Sequence, residues 1–240
     1  MTSYYNPTPH LREVPCVPSS TAILFIDTQN FNCHRAGAIY RHYSSEELEG
    51  PDFQYFFRRV ADITPNWVRL QSACRASGVE VMYTVIQSLT SDGRDRSLDY
   101  RISGFHVAPG SWDAKVVEAL RPGADEVVLP KTSSSVFNST NIDFILRCMG
   151  KRHLILCGCV TDQCVAHAVM DACDLGYYVT LVPDACATYS QERHDAAVRA
   201  IGGYCRKRST EELSVELGGN TGIAGGASAG GEAARVRSRL

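Results

Sequence analysis

Five short apolar runs, alternating with segments of helical periodicity, narrow most sharply what this chain can become. They are Ala22–Ile26, Val79–Ile86, Glu126–Leu129, Leu154–Cys157 and Tyr177–Val182. The first reads AILFI without a polar break, the pattern of a strand buried on both faces of a parallel sheet. A sixth, weaker edge strand is expected between Tyr204 and Arg208.

Between the runs, apolar residues recur at helical spacing. Thr64 and Pro65 form a cap and first-turn pair, with Trp67, Leu70 and Cys74 on one face behind them. Thr140-Asn141-Ile142-Asp143 fits a capping box, followed by Ile145, Leu146 and Met149. Val165, Ala168, Val169, Ala172 and Cys173 repeat the spacing before Gly176, and Ser190 caps a helix carrying His194, Ala197, Val198 and Ile201. Strand–helix alternation with short links implies right-handed crossovers. The expected fold is therefore α/β: a three-layer, Rossmann-like parallel sheet of about six strands with helices on both faces.

That body is expected over residues 20–215. Residues 1–19 are rich in Pro, Ser and Tyr and read as an extended lead-in. Residues 216–240 are Gly/Ala-rich and read as a disordered tail, because so few apolar side chains cannot offset the entropy of ordering. A formal charge of -2 excludes the electrostatic footprint of a general nucleic-acid binder, and no apolar run is long enough to span a membrane. Ten cysteines with no apolar signal-peptide core ahead of them point to free thiols in a reducing compartment.

In an open parallel sheet, ligands bind beyond the carboxyl ends of the strands. Asp27 follows the first strand, Lys131 the third, and Cys164 lies in the turn after the fourth. Singly, each has an ordinary explanation as a turn residue, a surface lysine or a small core thiol. Together they read as an activated nucleophile. A thiol in the first turn of a helix feels the positive end of the dipole, which is expected to lower its pKa, and the free N–H groups there can hold an oxyanion.

Three blocks carry a resemblance: Leu24-Phe25-Ile26-Asp27-Thr28-Gln29-Asn30-Phe31; Lys131 with Ser134, Phe137 and Thr140; and Gly158-Cys159-Val160-Thr161-Asp162-Gln163-Cys164-Val165. In this order and spacing they resemble the isochorismatase-like cysteine hydrolases, a superfamily that includes nicotinamidases and ureidoacrylate, biuret and carbamoylsarcosine hydrolases. The resemblance implies an Asp27–Lys131–Cys164 triad. It also implies a cis peptide before Val160, an oxyanion hole from the N–H groups of Val160 and Cys164, and a homodimer or homotetramer. The expected activity is hydrolysis of a C–N bond in a small carboxamide or ureido compound through a thioester, without a cofactor. Nicotinamidase-type activity is the alternative within the family, although no His stands two places after Asp52, where nicotinamidases commonly carry one for a metal. An inactive binding or scaffold relative is the alternative outside it.

Asn30, Arg94, Ser135 and Phe137 are the candidate substrate contacts: Arg94 as a planar clamp on a carboxylate, Asn30 and Ser135 as hydrogen-bonding groups. Arg96 and Arg101 compete with Arg94 for the clamp, and pairing of these arginines with Asp92, Asp95 and Asp99 is the plainer reading. Cys157, Cys159, Cys164, His153 and His167 superficially resemble a zinc cluster, but no paired C-x-x-C is present and strand alternation makes Cys157 and Cys159 core. No resident metal is expected. The final tripeptide Ser238-Arg239-Leu240 resembles a peroxisomal address, so an import receptor is an expected partner and the peroxisome the expected location, with cytoplasm as the alternative.

Overall fold

A computed structural model describes residues 9–219. The expectations for residues 1–8 and 220–240, including the Ser238-Arg239-Leu240 address and the import receptor inferred from it, lie outside the described residues. Six strands form one parallel sheet: β1 Thr21–Ile26, β2 Glu80–Ile86, β3 Val127–Lys131, β4 His153–Cys159, β5 Tyr178–Ala187 and β6 Arg206–Lys207. Their order is β3-β2-β1-β4-β5-β6. Crossovers leave the centre in opposite directions, so right-handed connections place their helices on opposite faces and give three layers.

Every residue of β1 and β4 is buried, as the unbroken apolar runs require. The order reverses between β1 and β4, where the crevice beyond the strand ends opens. Gly158 in β4 makes that junction tight. A Cβ there would meet the Ile26 carbonyl oxygen at 2.1 Å, and its φ of +122° is one that side-chain-bearing residues rarely adopt.

Four local expectations are corrected. Thr64 and Pro65 do not start a helix: one helix runs from Pro51 to Ser77 with Pro65 inside it and Pro51 in its first turn. The Thr64 hydroxyl instead donates to the Val60 carbonyl one turn back, at 2.7 Å. The stripe of Phe56, Val60, Ile63, Trp67, Leu70 and Cys74 is buried on both sides of the proline, and that burial outweighs a break of about 3 kcal/mol. Thr140 makes no capping box; its hydroxyl donates to Val136 O and accepts from Ile142 N, two residues on.

The lead-in is not simply extended, since Pro9–Arg12 and Pro18–Ser20 form 3-10 turns and Cys16 is buried. Nor does the body end at 215. The helix Thr210–Gly219 continues past it because Leu213 and Leu217 are both fully buried.

Cys16 belongs to a polar cluster at the opposite end of the strands from the crevice. Arg206 donates to the Cys16 sulfur (3.2 Å), to Thr180 Oγ1 (2.7 Å) and to Glu216 (2.7 Å), and His153 Nε2 is 2.7 Å from the same threonine oxygen. Burial, helped by Arg206, pushes the His153 pKa down to about 4.

Candidate active site

Asp27 is the residue after β1 and takes a left-handed φ of 51°, a conformation Asp tolerates better than most side chains. Its carboxylate is set by β2: Thr84, paired with Ile26 across the ladder, donates its hydroxyl to Asp27 Oδ1 at 2.8 Å. Lys131 ends β3, two strands away, and its side chain spans the end of β2 to put Nζ 2.9 Å from Asp27 Oδ2. Both side chains are essentially without exposure, at 0% and 1%.

The same ammonium lies 3.4 Å from Cys164 Sγ, 2.8 Å from the Tyr100 hydroxyl oxygen and 2.9 Å from the Ser133 carbonyl. Asp27, Lys131 and Cys164, 137 residues apart at their extremes in sequence numbering, are thus brought into one buried cluster at the sheet's reversal point. Burial is the largest single influence and opposes the charge on Lys131, yet Asp27, Cys164 and Tyr100 together outweigh it and hold the lysine well above its ordinary pKa.

Cys164 departs from expectation. It does not sit in a regular first helical turn: Thr161–Val165 is a π-helical turn in which the N–H groups of Gln163 and Val165 both donate to the Val160 carbonyl, and the regular helix begins at Ala166. The peptide bond between Cys159 and Val160, at the mouth of this turn, is cis. The thiol's pKa is pushed up to about 11 rather than down. Burial is the largest cause, and the nearby Asp27 adds to it by charge and hydrogen bonding, while Lys131 works in the other direction. The resting group is a neutral thiol beside a preformed carboxylate–ammonium pair.

The candidate substrate contacts fare differently. The amide of Asn30 is engaged in donating to the Trp112 carbonyl at 3.0 Å. Arg94 is exposed and pairs with Asp92, as the plainer reading had it. The Ser135 hydroxyl donates to Asp171 and caps Asn138 N at 3.0 Å. Phe137 packs near Tyr177 and, with Ser135, lines an outer groove of about 470 Å³ that Asp27, Lys131 and Cys164 do not border. Among the described residues no three His, Cys, Asp or Glu side chains group as metal ligands, and none of the ten cysteines is in a disulfide.

Two contributors escaped the sequence reading. Tyr100, buried in the short helix Leu98–Ile102, reaches Lys131 from a polar loop that carries no periodic signal. Phe105, whose ring lies 5.4 Å from that of Tyr100, joins Tyr40, Tyr43, Phe53 and Tyr189 around an aromatic cavity of about 420 Å³ rimmed by Arg193. Arg193 is held by Asp162 of the π-turn that carries Cys164, but Asp27, Lys131 and Cys164 do not line this cavity either.

The Isochorismatase domain model matches residues 21–211. The chain is 29% identical over 184 residues to the ureidoacrylate amidohydrolase RutB of Rhizobium rhizogenes, covering 70% of each chain. Among solved structures, a cysteine hydrolase from Pseudomonas syringae pv. phaseolicola superposes with a TM-score of 0.72 at 25% identity, over 86% of this chain and 96% of that one. N-carbamoylsarcosine amidase from Thermoplasma acidophilum superposes with a TM-score of 0.60 at 26% identity, over 80% and 98%.

Proposed function

The chain belongs to the isochorismatase family of hydrolases, and on that premise we propose that it is a cysteine-dependent amidohydrolase acting on a small carboxamide or ureido compound. The observation that carries the reading is the buried contact of Lys131 with both Asp27 and Cys164. The names of the similar proteins, a ureidoacrylate amidohydrolase and a carbamoylsarcosine amidase, support the bond type.

In this reading Asp27 is the general base. A thiol whose pKa is raised to about 11 is almost wholly protonated at neutral pH, so its proton must leave as the bond to carbon forms. Asp27 accepts it through Oδ2, the oxygen not bonded to Thr84. Lys131 then stabilises the thiolate, whose sulfur is already 3.4 Å away. The sulfur attacks the carboxamide carbon, and the N–H groups of Val160 and Cys164 hold the oxyanion that develops.

Collapse of the tetrahedral species breaks the C–N bond. Asp27 returns its proton to the departing nitrogen and next draws one from the water that hydrolyses the thioester. Burial of the cluster strengthens each of these electrostatic contacts relative to water.

The test is an ammonia-release screen over ureidoacrylate, N-carbamoyl amino acids, biuret, maleamate and nicotinamide. At least one is expected to be hydrolysed, with turnover abolished by Cys164→Ala. Full turnover in Cys164→Ala on a confirmed substrate overturns the scheme.

A further inference from the structure

We infer that Tyr100 is a fourth member of the reactive cluster, a phenol that donates a hydrogen bond to the Cys164 sulfur as the thiol loses its proton. The inference rests on the reading of Cys164 as nucleophile.

Tyr100 is firmly placed. The helix that carries it is capped by Ser97, whose side chain accepts from Tyr100 N at 3.2 Å. Ser97 N donates to the carbonyl of Thr132, the residue after Lys131, at 2.9 Å. The helix is therefore tied to the strand end that supplies the lysine. Phe105 covers the ring, and only 2% of Tyr100 is exposed. Bulk water does not serve this hydroxyl.

The hydrogen-bond accounting gives the phenol its role. Lys131 has three ammonium hydrogens. Three acceptors take them, the Tyr100 oxygen at 2.8 Å, Ser133 O at 2.9 Å and Cys164 Sγ at 3.4 Å, while Asp27 Oδ2 at 2.9 Å is paired by charge without an aligned hydrogen bond. The bond to the sulfur is the longest of the three, and it uses the last ammonium hydrogen, so any further donor to a developing thiolate must come from elsewhere. The Tyr100 oxygen accepts from the ammonium and keeps its own hydrogen for another partner. The Cys164 sulfur is 4.0 Å from it, the outer limit for a neutral thiol and a contact that tightens on a thiolate. Burial raises the phenol's pKa although Lys131 works against this, so Tyr100 stays protonated and serves as a donor, not as a base. A hydrogen bond accepted from an ammonium also polarises the O–H and makes it a stronger donor. No bond to Tyr100 forms or breaks in the reaction.

The experiment compares the intact protein with Tyr100→Phe, which keeps the ring and removes the oxygen. Near-UV circular dichroism and urea unfolding establish that both are folded. The rate of iodoacetamide alkylation at Cys164 is then followed between pH 7 and 9, with mass spectrometry of the Cys164 peptide separating it from the other thiols. Asp27, Lys131 and Tyr100 are the titratable groups that face this sulfur among the described residues, so the profile reports on them.

The expected result is a parallel profile displaced upward by about one pH unit, hence a rate about tenfold lower at each pH. On a substrate from the ammonia screen, kcat is expected to fall by about the same factor with KM little changed. A profile that coincides with wild type overturns the inference. So does one displaced downward, the sign expected if Tyr100 merely competes with the sulfur for the Lys131 hydrogens. Alkylation needs no substrate, so a failed screen leaves this result readable and faults the proposed activity instead.

Discussion

Lys131 Nζ lies 2.9 Å from Asp27 Oδ2, and neither side chain exposes more than 1% of its surface. A buried pair of this kind is weak as a source of stability but costly to break from one side, because the remaining charge is left without its partner. Asp27→Asn is expected to lower unfolding stability by roughly 3 kcal/mol in urea denaturation.

The same substitution separates thiol reactivity from catalysis. Asp27 pushes the Cys164 pKa up while Lys131 pulls it down, so removing the carboxylate leaves the ammonium alone beside the sulfur. Asp27→Asn is expected to alkylate faster at Cys164, by about tenfold or more at pH 7.5, while losing all ammonia release. Slower alkylation would mean that Asp27 promotes the resting thiolate instead of receiving the proton during attack.

Gly158→Ala tests the closeness of β1 and β4. Its methyl group would stand 2.1 Å from the Ile26 carbonyl oxygen at a φ of +122°. Backbone is the obstacle, so no side-chain rotation relieves it. Stability is expected to fall by more than about 3 kcal/mol, or soluble protein to be lost, whereas alanine at Gly104, where nothing lies within 4 Å of the new atom, is expected to be tolerated at the modest cost of a positive φ. Expression and urea midpoints read both.

Arg94→Ala is expected to change kcat/KM less than about twofold on any substrate found, because the side chain is 73% exposed and pairs with Asp92. A loss of about a hundredfold would restore the carboxylate-clamp role that its residue type suggested.

Acid sensitivity should come from the far end of the sheet. His153 has a folded pKa near 4 against about 6.5 when unfolded, so the unfolded chain binds the proton first as pH falls. Its contribution is fully present above about pH 6.5 and is lost as pH falls toward 4, by on the order of 3 kcal/mol in total. Urea midpoints across that window are expected to decline less steeply in His153→Gln than in wild type.

What could be read from the chain divides along physical lines. Apolar runs such as AILFI report burial on both faces directly, and with the strands located, Asp27, Lys131 and Cys164 fall at their carboxyl ends. Pro65 reads as a helix start because its cost is local, whereas the buried stripe that overrides it is fixed only by the tertiary fold. The Cys164 pKa follows the same division: a helix terminus acts on a thiol locally, whereas its desolvation depends on everything that closes over it. Thr84 did leave a trace, a hydroxyl inside the apolar run VMYTVI, and the fold shows it aimed at Asp27. Tyr100 left none. It stands 31 residues before its lysine, and only the crossover brings them together.

The strand order has a consequence for when the protein becomes chemically competent. β1 pairs with β4 across a stretch of chain from Thr21–Ile26 to His153–Gly158, and the proposed nucleophile lies beyond that pairing at position 164. The residues of β1, β2 and β3, with Asp27 and Lys131, are all in place in the chain by position 131, before Cys164 is added. On the proposed mechanism, a translation product that stops between those two positions carries the charged pair without the thiol it serves and is expected to release no ammonia.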